Sequence, residues 1–92
     1  MNAARRKNIR EAMELIAKAR GILKTARDEE DEAYDNLSSE MQFSSRGQRM
    51  ADNVDGLNGI LDLIDEIGDM ADEVTKVTKR TKKGAKNAEG KF

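Results

Sequence analysis

The chain contains no cysteine, histidine, proline or tryptophan. Without Cys and His there is no thiol or imidazole for catalysis, no thiolate or imidazole metal ligand, and no disulfide framework. Carboxylates alone would have to hold any metal, and neither a metal nor a cofactor is expected. Without Pro, no imino acid interrupts a helix. Three aromatics, Tyr34, Phe43 and Phe92, leave almost no platform on which bases could stack. No apolar run approaches 18 residues and the N-terminus MNAARRKNIR carries no hydrophobic signal region. Neither a membrane span nor secretion is therefore expected, and the cytoplasm is the default compartment.

What the chain does have is charge and helical periodicity. Its 92 residues suit one domain, and 17 basic residues against 18 acidic ones give near-neutrality with strongly segregated signs. Apolar residues recur every three or four positions on both sides of one interrupted stretch, Asn36 to Gly47 (NLSSEMQFSSRG). The pattern predicts an all-α chain: a helix over about 5–37, a connector over about 38–45, a second helix over about 46–79 and a basic tail over about 82–92. The first four residues are expected to fray. The two helices form an antiparallel hairpin expected to pair with a second copy as a homodimeric four-helix bundle.

In the first helix, Ile9, Ile16, Leu23 and Leu37 share one seam position, and Ala12, Ala19, Ala26 and Ala33 are expected at the next. In the second, Met50, Leu57, Ile64 and Ala71 form one row and Ile60, Ile67 and Val74 another, with Val54 and Leu61 beside them. Leu15 and Ile22, with Leu63, Met70 and Val77, broaden the stripes beyond what one neighbour covers, and are the expected dimer contacts. Gly56, Gly59 and Gly68 lie within the second helix, where each costs roughly 1 kcal/mol relative to Ala, and close helix approach is their expected reason. A reversal near residues 44 and 45 would set facing residues at numbers adding to about 89, bringing Lys18, Arg20, Lys24 and Arg27 alongside Asp62 to Glu73.

Two charged regions are candidate sites. The acidic run Asp28, Glu29, Glu30, Asp31, Glu32 and Asp35, with Tyr34, is either a solvated helix face or a patch for an unidentified protein partner. It lacks the alternating oxygen ligands and glycine of a calcium loop. Met41 and Phe43 either plug the bundle end or form a contact point in the same patch. The second region is the basic tip, where Arg5, Arg6, Lys7 and Arg10 return beside Lys79, Arg80, Lys82, Lys83 and Lys86. Such a tip could hold phosphates of nucleic acid without reading sequence. It lacks the bulky apolar face needed to enter a membrane. No catalytic residues stand out, because paired carboxylates need a pocket that shifts their proton affinities.

The segment RDEEDEAYDNLSSEMQFSSRG, Arg27 to Gly47, together with Met50 and Ala51, resembles a pattern in small helical proteins of bacterial phages and mobile elements. The likeness spans the acidic run, Tyr34, Asp35-Asn36-Leu37, the Ser-rich connector and Arg46-Gly47; Ser38 stands where that pattern has Pro. The resemblance implies an accessory protein, including one that binds or inhibits host or defence machinery, and carries over no activity. Protein binding or assembly is thus the leading expectation, and nonspecific nucleic-acid binding the alternative.

Overall fold

The computed structural model describes residues 1–76. Three helices follow one another: α1 over Ala3–Asp35, α2 over Ser39–Gln42 and α3 over Ser45–Thr75. Val77 and the tail cations Lys79, Arg80, Lys82, Lys83 and Lys86 lie outside the described residues, as do the last expected residues of the second helix. The body measures 66 × 25 × 15 Å. Its least dimension is little more than one helix diameter.

Each helix starts where a side chain captures a free backbone donor. Asn2 accepts from the Arg5 N–H at 2.8 Å, so the helix begins at Ala3 and the expectation of four frayed residues is corrected. Ser38 accepts from the Met41 N–H at 3.2 Å and starts α2. Ser44, not Ser45, caps α3 by accepting from the Gly47 N–H at 3.2 Å. The connector therefore holds a full helical turn, and the Gln42 amide ties it to α1 through the Tyr34 carbonyl at 3.1 Å.

The seam repeats every seven residues, but its second row differs from the expected one. On α1 the partly buried positions are Ile9, Met13, Ile16, Arg20, Leu23, Arg27, Glu30 and Tyr34. Ala12, Ala19, Ala26 and Ala33 are exposed. The physical reason is that Arg stems cover apolar surface while their guanidinium heads reach polar groups at the edge. On α3 the row Val54, Leu61, Gly68 and Thr75 turns inward with Met50, Leu57, Ile64 and Ala71, and Ile60, Ile67 and Val74 stay outside. Among the described residues only Met50 and Leu61 are buried apolar side chains, and neither is completely enclosed.

Polar bonds across the seam fix the register. Arg20 meets Asp65, Arg27 meets Asn58 and Arg10 meets the Thr75 carbonyl, pairs whose numbers each add to 85. The expected 89 is corrected: α3 begins beyond the end of α1 and carries α2 against its first turn. Lys24 turns to Asp28 on its own helix instead of reaching α3.

Among the described glycines, only Gly47 answers to close approach. A Cβ there would stand against the carbonyl oxygens of Met41 and Gln42, whereas Gly21, Gly56, Gly59 and Gly68 have open space at that position. Close packing is therefore not the reason for the three α3 glycines named above. Gly47→Ala is expected to lower stability by about 1–3 kcal/mol through overpacking. Gly59→Ala should raise it by about 0.5–1 kcal/mol. Urea unfolding followed by circular dichroism checks both signs.

Candidate protein-docking face

The two broad faces of the hairpin differ in kind. One carries the polar clasps. Arg20 makes two bonds to Asp65, at 2.8 and 3.2 Å. Arg27 donates to the Asn58 side-chain oxygen at 2.6 Å and to Asp28 at 2.8 Å. The hydrogen bond to Asp65, and then its charge, raises the Arg20 pKa above its already high ordinary value. Hydrogen bonds from Arg27 and then Lys24 hold the Asp28 carboxyl below its ordinary value of 3.8.

The opposite face is apolar and uncovered. Leu15 is 67% exposed and Ile22 71% on α1; Leu63 is 59% and Met70 67% on α3. Between these outer rows lie Ala12, Ala19 and Ala26 on α1 and Ile60, Ile67 and Val74 on α3, all exposed. A shared open groove lined by Ala26, Gly56, Leu57 and Ile60 shows that the two helices present these rows on the same side. Helix periodicity continues that side along the rows at seven-residue steps. The expected contacts Leu15, Ile22, Leu63 and Met70 are thus brought together on one face. The exposed α3 row Ile60, Ile67 and Val74 was placed in the seam by sequence reasoning and belongs to this face.

At the loop end the acidic stretch does not form one patch. Glu30 turns into the seam, where it accepts from the Asn53 amide at 2.9 Å, and Tyr34 is partly buried. Asp28 belongs to the clasp face with Lys24 and Arg27, while Glu29, Asp31, Glu32 and Asp35 are exposed around the helix. Repeating acids at consecutive positions necessarily spreads them around a helix of 3.6 residues per turn. Phe43 is 80% exposed and Met41 is exposed too, so neither plugs the bundle end. An open groove beside them is lined by Glu30, Ala33, Arg46, Arg49 and Asn53.

At the other end, Arg5, Lys7 and Arg10 are exposed and Arg6 is partly so. Arg6 donates to the Met1 carbonyl at 2.7 Å and Arg10 to the Thr75 carbonyl at 3.3 Å. None of the four is ion-paired among the described residues. Among the described residues, no group of acidic side chains is placed to hold a metal ion, and no helix is long and apolar enough to cross a membrane. No family model, curated protein or solved structure matches the chain.

The depressed Asp28 pKa carries a pH consequence. The stabilisation it contributes is present above the ordinary carboxylate pKa and is lost as pH falls through the lowered folded value. Asp28 and Lys24 are exposed and Arg27 is only partly buried, so the contribution is small. The Asp28 carboxyl resonance followed by NMR should titrate below the ordinary carboxylate value, and Arg27→Gln should move its midpoint upward. An unchanged midpoint would refute the hydrogen-bond assignment.

Proposed function

We propose that the chain is a small non-enzymatic protein-binding and assembly module whose working surface is the apolar face. The observation that carries this reading is the joining of Leu15, Ile22, Leu63 and Met70 with Ile60, Ile67 and Val74 on one uncovered side. A hairpin with only two buried apolar side chains among its described residues lacks a core of ordinary size, and association supplies one. The assembled state is a homodimeric four-helix bundle.

Phe43, Met41 and the exposed acids around them lie beyond the apolar face and stay accessible in such a dimer. This end is the surface for a further protein. The resemblance to phage and mobile-element proteins makes a host or defence protein the kind of partner to be bound or inhibited there.

Light scattering should give twice the 10.3 kDa chain mass at micromolar concentration. Leu63→Glu combined with Met70→Glu should weaken the dimer by at least ~1,000-fold, about 4 kcal/mol, by placing charges in the contact. A parent chain that is folded and monomeric at all accessible concentrations would sink the proposal.

A second reading rests on the unpaired Arg5, Arg6, Lys7 and Arg10 together with the basic sequence that follows Lys76. It is nonspecific contact with nucleic-acid phosphates. Duplex and single-stranded DNA binding should then fall steeply with salt and weaken when residues 77–92 are removed. No binding at low salt would eliminate it.

A further inference from the structure

The apolar face has relief as well as area. Its Ala12, Ala19 and Ala26 row forms a valley along α1, and the Ile60, Ile67 and Val74 row forms a ridge along α3. The seam bonds, whose paired numbers add to 85, place valley and ridge at matching heights. Ala12 stands level with Val74, Ala19 with Ile67 and Ala26 with Ile60. The outer residues match in the same way, Leu15 with Met70 and Ile22 with Leu63.

Resting on the assembly reading above, we propose that the occupant of this face is a second copy related by a two-fold axis parallel to the helices, so that α1 of each copy lies on α3 of the other. Rotation about such an axis leaves every height unchanged. The match within one chain therefore becomes a match between chains. The ridge residue Ile67 enters the valley at the partner's Ala19, and Leu15 meets the partner's Met70. Each contact occurs twice, as a two-fold interface requires.

The alternative axis, perpendicular to the helices, lays ridge on ridge and valley on valley. It crowds Ile67 against the partner's Ile67 and leaves a gap between alanine rows, and interiors tolerate neither crowding nor voids. Charge does not decide between the axes. Lys18 and Glu66 lie on the outward rows of their helices, at opposite edges of one hairpin, and neither is ion-paired among the described residues. With the parallel axis, Lys18 stands beside the partner's Glu66, whereas the perpendicular axis brings Lys18 towards the partner's Lys18. The parallel axis also sets Glu11 by the partner's Glu73 and Glu32 by the partner's Asp52. All of these pairs lie on the same outward rows at the solvated edges, where charges interact weakly, so the fit of ridge and valley in the desolvated middle decides.

The chain lacks Cys, so single substitutions give unambiguous cross-links in the full-length protein. Ala19→Cys and Ile67→Cys chains, mixed and treated with a short thiol-specific cross-linker, should join to each other and not to themselves. Self-joining of each variant, without joining in the mixture, would overturn the parallel axis in favour of the perpendicular one. An independent readout uses charge: Lys18→Glu should weaken the dimer about tenfold at low salt, and adding Glu66→Lys to the same chain should restore it. A Lys18→Glu dimer of unchanged affinity counts against the arrangement. Light scattering on the unsubstituted chain reports separately whether a dimer exists, so failure of the assembly reading is distinct from failure of the axis.

Discussion

The register between α1 and α3 is the constraint on which the rest depends. A purely apolar seam of two long helices can slip by a heptad at little cost, because each seven-residue step restores the same face. Here the second row of α1 carries Arg20 and Arg27, and the first carries Glu30, and each of the three has its counterpart on α3: Asp65, Asn58 and Asn53. Slipped one heptad in one direction, the hairpin would leave Arg27 beside Ala51; slipped in the other, Arg20 and Arg27 would meet Asp72 and Asp65 but Glu30 would stand against Ile60. The exposed Arg20–Asp65 pair adds little stability in itself. Arg27 discriminates against one slip and Glu30 against the other, a matter of specificity.

Using seam positions for polar groups thins the core. Leu61, 4% exposed, and Met50 at 8% are the best-buried apolar residues described. The larger share of the aliphatic side chains stands on the uncovered face. A chain of this length could have placed Ile60 and Ile67 inward by rotating α3 through about 100°, one residue step of the helix. That rotation would carry Leu61 and Val54 away from the seam and separate Asp65 and Asn58 from their arginines. The exposed ridge is therefore the counterpart of the polar register.

The heptads, the place of the reversal and the row Met50, Leu57, Ile64 and Ala71 were legible in the sequence because apolar spacing alone determines them. The second row of α1 was not. Ala12, Ala19, Ala26 and Ala33 repeat at three residues from the Ile row, while Met13, Arg20, Arg27 and Tyr34 repeat at four, and both spacings fit a helix. Hydropathy favours the alanines. The structure favours the longer side chains, whose stems fill the space between the helices and whose heads find partners that are visible only once α3 is alongside. The same one-residue ambiguity moved Ile60, Ile67 and Val74 into the expected seam. The exposure of Phe43 was equally hidden, since it depends on how α2 lies against the start of α3.

The charge distribution runs against the helices taken singly. Arg5, Arg6 and Lys7 open α1 and the acids from Asp28 to Asp35 close it, whereas the helix dipole favours the reverse. α3 repeats the inversion, with Arg46 and Arg49 at its start and Asp69, Asp72 and Glu73 at its end. Each helix alone loses a little stability by this arrangement. Folded back on each other, the acidic end of α1 lies near Arg46 and Arg49, while Arg5, Arg6 and Lys7 reach past Thr75, where α3 ends. The inversion thus has a meaning only for antiparallel neighbours. It penalises parallel pairing at both ends, and acts on any α1 and α3 laid side by side, within one chain or between two.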